Sequence, residues 1–199
     1  VHNSYAFSKM IIGYIENTLG EVKIIRGKKS INALVGKELY ENDYIETQEK
    51  SVVKIKLLDG SDFVLFEKSS LRVKEYSMKS EQKNFEEKSF FKAVLDKLTG
   101  MNRFFIQHEH GRTNSVVLQT GNSVLGIRGT GGFVTAQTEK STQIVVTAGE
   151  VELKNLNATH KPVVVGKNQW GEIIGETPPT SPQPVRSEEH TSELQSRLQ

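Results

Sequence analysis

Cysteine is absent from the 199 residues, and proline is scarce. Without cysteine the chain can form no disulfide, zinc ribbon, iron–sulfur cluster or thiol nucleophile. Four of the five prolines fall between positions 178 and 184, so proline interrupts little of the remaining chain. Long apolar runs are also missing, because the longest, around residues 10–15, falls far short of the roughly 18 residues that a membrane-spanning helix needs. The sequence predicts no membrane span within this chain.

A strong charge of either sign is missing as well. Lysine and arginine total 26 against 24 acidic residues, which gives a formal net charge of +2. Binding driven by a strongly basic field is therefore unsupported, and we expect no nucleic-acid partner.

The two ends differ in composition from the middle. The chain starts at Val1, and we expect residues 1–12 to be the remnant of a cut N-terminus that lacks its signal peptide. The proline-rich residues 176–185 favour an extended linker. Residues 186–196 resemble a translated sequencing adapter, so we expect 186–199 to be an artefactual tail. One domain at 13–175 is predicted between them.

Short blocks of alternating apolar and polar residues dominate this domain. Val53, Ile55 and Leu57 alternate with lysines, and Asp59-Gly60 then supplies a turn. Similar blocks recur about every 8 to 12 residues, a spacing typical of all-β folds. We predict short antiparallel strands in a sandwich or short β-roll.

One segment breaks this pattern. Between positions 80 and 99, apolar residues fall at helical spacing, with Ser80 as a plausible N-cap and Gly100 as a stop. The apolar positions are Phe85, Phe90, Phe91, Val94, Leu95 and Leu98. We predict an inserted amphipathic helix near 80–99 that covers one end of the β core or, alternatively, binds a partner.

Four glycines fall within residues 126–132. A phosphate-binding loop would need a helix after it, whereas residues 133–136 have the pattern of a strand and no lysine follows the glycines. We therefore interpret the segment as a turn or bulge, where glycine permits positive φ or a close backbone approach.

Candidates for chemistry are few. His108 and His110 would share a face on a strand and could hold a metal ion with His160 or a carboxylate, but a solvated loop explains them as well. Asp59 and Glu67 lie near Asp62, yet Asp59 is better explained by its turn. No Gly-x-Ser-x-Gly motif occurs. We predict no catalytic residue, no metal, no cofactor and no enzymatic activity.

Several short motifs follow one another in a characteristic order. They are Gly-Glu-Val at 20–22, Val-Gly at 35–36, Asp-Tyr-Ile-Glu-Thr at 43–47, Asp-Gly-Ser at 59–61, Gly-Ile-Arg-Gly-Thr at 126–130, Val-x-x-Gly-x-Val at 146–151 and Gly-Lys-Asn-Gln at 166–169. The series resembles the FecR domain family over roughly residues 13–171. One departure is Gly131-Gly132, where relatives usually carry an acidic or polar residue followed by phenylalanine.

Two of these motifs supply the candidate site, as structural elements or as partner contacts. Its residues are Asp59, Gly60, Ser61, Gly126, Ile127, Arg128, Gly129 and Thr130. Alternation predicts that Ile127 points into the core and that Arg128 faces the other way. We expect the Arg128 guanidinium to join loop carbonyls or a carboxylate such as Asp59 or Glu67, or else to contact an acidic partner.

The resemblance implies a periplasmic or otherwise extracytoplasmic bacterial β domain without catalytic activity. Because neither a membrane span nor cytoplasmic helices accompany it here, we expect a stand-alone exported module that binds or scaffolds proteins or cell-wall polymer in the envelope. One alternative is the sensor part of a transmembrane sigma-factor regulator that responds to iron–siderophore uptake. Another is a carbohydrate-binding module. The oligomeric state is not predicted.

Overall fold

The computed structural model describes residues 10–83, 86–107, 112–138, 140–157 and 159–185. Within these ranges the regular structure is entirely β, which confirms the predicted all-β class. The strands are β1 Ile11–Leu19, β2 Val22–Arg26, β3 Lys29–Asn32, β4 Glu38–Tyr40, β5 Tyr44–Thr47, β6 Val52–Leu57, β7 Asp62–Leu65, β8 Ser70–Lys83, β9 Glu86–Phe105, β10 Arg112–Gln119, β11 Ser123–Thr138, β12 Ser141–Asn155, β13 Val163–Gly166, β14 Gln169–Ile174 and β15 Gln183–Pro184.

The strands join into one hydrogen-bonded network with a main path and a side branch. The main path runs β15-β14-β12-β11-β10-β9-β7-β6-β1-β4, and β11 also pairs directly with β9. The branch runs β3-β2-β5-β8 and returns to β9. Apolar side chains from both parts form one buried cluster, so the network folds around a single core.

Strand β9 connects most of the molecule. Its first half pairs with β8 in a hairpin and with β10, and its last residues pair with β7 and β11. The β9–β10 pairing is parallel, which departs from the predicted antiparallel arrangement. At 20 residues, β9 is also longer than the short strands expected from the sequence.

The predicted helix near 80–99 is wrong, because β8 and β9 occupy the described part of this segment. Phe91 and Leu95 are both buried, and a separation of four residues satisfies the strand period as well as the helical one. A bulge then follows, in which Lys97 has a φ of 52°, and it returns Leu98 to the core after only three residues. The buried residues of one strand with a single bulge therefore have the same spacing in sequence as the apolar face of a helix.

Two turns of identical sequence stabilise the middle of the fold. Glu-Lys-Ser occurs four times in the sequence, and the serines of the two copies that end at Ser51 and Ser69 each lie against a glycine. Gly20 and Gly100 have φ values of 75° and 70°, and a Cβ on either would collide with the facing serine hydroxyl. Only glycine fits both the backbone conformation and the space at these positions.

The proline-rich residues 176–185 begin in a turn after β14 and are hydrogen-bonded to the sheet. The Thr180 amide donates to the Glu172 carbonyl at 3.0 Å, and the Val185 amide donates to the Asn168 carbonyl at 2.9 Å. A domain boundary at 175 stays a prediction. At the other end β1 begins at Ile11, within the expected N-terminal remnant, and the predicted tail at 186–199 lies outside the described residues.

Candidate functional site

The Asp-Gly-Ser motif forms a buried turn between β6 and β7. Gly60 has a φ of 91°, and its amide donates to the Leu57 carbonyl at 3.0 Å. The Ser61 hydroxyl donates to Asp59 Oδ2 at 2.5 Å, and both side chains are buried. The motif thus directs its polar groups into the protein, where they stabilise the turn.

The second motif lies in the middle of β11. Ile127 pairs with Val116 on one side and Val151 on the other, and its 1% exposure confirms the predicted core position. The Thr130 hydroxyl donates to the Glu150 carbonyl at 3.0 Å and accepts from the Glu150 amide at 3.1 Å. It therefore satisfies backbone groups where the β11–β12 register shifts.

The two motifs meet at the end of β9, although 65 positions separate Ser61 from Gly126. The Gln107 amide donates to Ser61 Oγ at 3.0 Å, and the Ile106 amide donates to the Thr130 carbonyl at 2.9 Å. We call Ser61, Ile106, Gln107 and Thr130 the motif junction. Consecutive backbone amides thus connect the turn to the strand.

Two of the glycines in 126–132, Gly131 and Gly132, serve close packing. Gly126, Gly131 and Gly132 lack a positive φ, and β11 continues as a strand to Thr138. A Cβ at Gly132 would lie 2.5 Å from the Val145 carbonyl oxygen. A bulge with close backbone approach explains Gly131 and Gly132. No helix N-terminus follows in the described part of β11 that could form a phosphate loop.

The three neighbouring acidic residues have separate partners. Asp59 belongs to its turn, whereas Glu67 Oε2 accepts the Lys50 amide at 2.8 Å. Asp62 lies between the Lys56 ammonium at 3.7 Å and the Arg103 guanidinium at 3.8 Å. Their contacts assign them to turns and ion pairs.

Other sequence candidates fall outside what the structure describes. His108, Glu109 and His110 lie outside the described residues, and the residues within them contain no group of three ligands suited to a metal ion. The backbone of Arg128 pairs with Glu150, but its predicted side-chain network lies outside the described side chains and stays a prediction.

Sequence reasoning missed a second feature, on the solvent side of the same strands. Arg103, Phe133, Val145 and Trp170 are successive cross-strand neighbours on β9, β11, β12 and β14. We call these four residues together with Phe105 the outer face. Phe105 is 46% exposed, whereas the alternate residues on the other side of these strands are buried. The alternation is visible in sequence, but the cross-strand neighbours are set by register.

Elsewhere, arginines form close ion pairs. Arg26 makes two hydrogen bonds to Asp43, at 2.8 and 2.7 Å, and Arg72 makes two to Asp96, at 2.6 and 2.5 Å. Hydrogen bonding from Arg72 holds the pKa of Asp96 below its usual value, with burial acting in the opposite direction. These bidentate pairs show how arginine is satisfied in this fold.

Comparison with known protein families shows which family the chain belongs to. Residues 43–152, more than half of the sequence, match the FecR protein family. The chain belongs to the FecR protein family. The match includes both motifs of the junction, which confirms the resemblance inferred from them. No curated protein matches this FecR chain.

Solved structures show the same fold. Two crystal structures from Parabacteroides distasonis, described as those of a candidate anti-sigma factor, are similar at 16% and 14% sequence identity with TM-scores of 0.53 and 0.55. Each similarity covers 76% of this chain and 64% of the other. The FecR chain thus spans somewhat less than two thirds of the length of these neighbours. Among its described residues, no helix has the length and apolarity to cross a bilayer.

Proposed function

We propose that this FecR chain is the extracytoplasmic, partner-binding domain of a regulator that controls a sigma factor. The match of residues 43–152 to the FecR family carries this proposal. The fold shared with the Parabacteroides distasonis proteins supports it, because those proteins are described as candidate anti-sigma factors. The expectation of a stand-alone envelope scaffold is less well supported, since neither comparison points to a scaffold.

The proposed domain acts by binding a protein, without catalysis. The buried hydrogen bonds of the Ser61 and Thr130 hydroxyls support a structural role for these two motif residues, which would maintain the shape on which recognition depends. A periplasmic location follows from the FecR resemblance and belongs to the same proposal. Binding of a partner would shift the regulator between states only if the partner prefers one of them.

Gene deletion followed by transcript profiling tests this function. Loss of a sigma-factor regulator should change a defined set of transcripts, and wild-type protein should restore them. The core variant Ile127→Asp is the matched control, because an unfolded domain should not restore them. Growth with and without a ferric siderophore tests the iron-dependent form of the proposal. An envelope defect with unchanged transcripts would instead favour the scaffold.

A further inference from the structure

The outer face forms a row across four neighbouring strands. Phe133 lies between Arg103 and Val145, and Val145 lies beside Trp170. With strands spaced about 4.8 Å apart, the row is about 14 Å long. Phe105 extends the apolar surface beyond Arg103, and its ring lies 3.3 Å from the position that a Cβ on Gly131 would take. An aromatic and aliphatic surface of this length fits a peptide better than a small ion.

This surface is additional to the core. The inward-facing neighbours Phe104, Val134, Ile144 and Ile173 are fully buried and already complete the packing of these strands. On the solvent side of the same sheet, Phe105 is exposed, and Phe133, Val145 and Trp170 are half-buried. A contiguous, partly exposed apolar surface outside the core is the kind of surface that binds a partner.

Charge at the outer face identifies the kind of partner. Arg103 and Lys56 lie 3.8 and 3.7 Å from the single carboxylate of Asp62, beyond hydrogen-bonding distance. Asp62 Oδ1 is buried without a hydrogen-bond partner among the described residues. Two cations therefore share one anion, and the excess positive charge lies beside the exposed ring of Phe105.

Arg103 differs from the satisfied arginines of the same molecule. Arg26 and Arg72 each make two short hydrogen bonds to one carboxylate. The Arg103 side chain is 45% exposed and makes only the 3.8 Å contact with Asp62 among the described residues. Its planar guanidinium is positioned to donate two hydrogen bonds to a carboxylate of another molecule, in the bidentate geometry that Arg26 and Arg72 already show.

We propose that the outer face binds an acidic segment of a partner protein, with a carboxylate on Arg103 and an aromatic or aliphatic side chain against Phe105 and Phe133. The protein nature of the partner rests on the proposed function. The face is complementary to such a segment in both charge and apolar character. A basic segment would meet repulsion from Arg103 and Lys56.

Selection from a phage-displayed library of random linear peptides on the immobilised chain tests the proposal. We expect enriched sequences that combine an acidic residue with an aromatic or large aliphatic one. Synthetic versions of them should change the fluorescence of Trp170, the only tryptophan, and should bind less tightly as salt rises. Selection of basic sequences, or of none, would overturn the proposal.

Matched variants locate the binding. Arg103→Glu and Phe105→Ser should each weaken the selected peptides about tenfold or more, whereas Lys29→Glu and Leu34→Ser should not. Lys29 and Leu34 are an exposed cation and an exposed apolar residue outside this face. Equal affinity in all four variants would contradict the assignment. If the chain self-associates and Phe105→Ser abolishes that self-association, the outer face binds a second copy of the chain and the proposed partner is wrong.

The same variants separate this proposal from the proposed function. One outcome is that Arg103→Glu abolishes peptide binding and still restores normal transcripts in the deletion strain. In that case the regulator binds its partner through another surface, and the outer face is not its partner site. If wild-type protein selects acidic peptides while deletion leaves transcripts unchanged, the regulatory function fails and the binding surface stands.

Discussion

The motif junction and the outer face lie close together at the C-terminal end of β9, yet they differ in how completely their polar groups are satisfied. At the junction, Ser61 and Thr130 are buried, and their hydroxyls make hydrogen bonds of 2.5 to 3.1 Å. On the outer face, the Arg103 guanidinium lies 3.8 Å from the Asp62 carboxylate, and Phe105 is 46% exposed. Buried motif residues such as Ser61 and Thr130 thus hold the backbone in place, whereas the exposed groups of the outer face lie outside the motifs.

A large loss of stability is expected when the core beneath the junction is truncated. Ile127→Ala should lower the free energy of unfolding by about 2 to 5 kcal/mol, because it removes buried methyl groups and leaves a cavity. Denaturant titration measures this loss, and Ile127→Val should cost only about 0.5 to 1.5 kcal/mol. A loss below 1 kcal/mol for the alanine variant, on the scale of ordinary surface changes, would show that Ile127 is not a core residue.

The second prediction concerns the close packing of the Gly132 backbone against the Val145 carbonyl, next to the junction. Gly132→Ala should destabilise by about 1 to 3 kcal/mol, because its Cβ would lie 2.5 Å from the Val145 carbonyl oxygen. Gly126→Ala is the matched control, since its nearest neighbour is 3.7 Å away and its φ is not positive. That variant should be unchanged or up to about 1 kcal/mol more stable by the same titration. Equal effects at both positions would refute the packing explanation.

A pH titration tests how much the ion pair between Arg72 and Asp96 stabilises the fold. Because Arg72 lowers the pKa of Asp96 in the folded state, the pair stabilises the fold above the unfolded pKa of about 3.9. That contribution should disappear as pH falls through the lowered folded pKa. Asp96→Asn should cost about 1 to 3 kcal/mol at neutral pH and progressively less in acid. Thermal unfolding from pH 7 to 2 measures the difference, and a constant difference would contradict the coupling.

The smallest effect on stability is expected at the outer face. Phe105→Ser should change the free energy of unfolding by no more than about 0.5 kcal/mol, because the ring is 46% exposed and its inward neighbour Phe104 fills the core. Differential scanning calorimetry measures it alongside Phe104→Ala, which should cost about 3 to 5 kcal/mol. If the two variants were equally destabilised, the outer face would be part of the core.

Local pattern was sufficient for several features of this protein. Alternation predicted the β class and the inward position of Ile127, and the glycines at 126–132 were assigned to a bulge or close approach. These features are predictable because they depend on residues a few positions apart.

Long-range pairing decided the rest. Sequence alone did not show that β9 is a strand, because the bulge at Lys97 gave Leu95 and Leu98 a helical spacing. It also did not show that the two motifs meet at Ile106 and Gln107. The outer face joins residues as distant as Arg103 and Trp170. Alternation fixes which side of a strand a residue occupies, but only the register between strands determines which residues become neighbours.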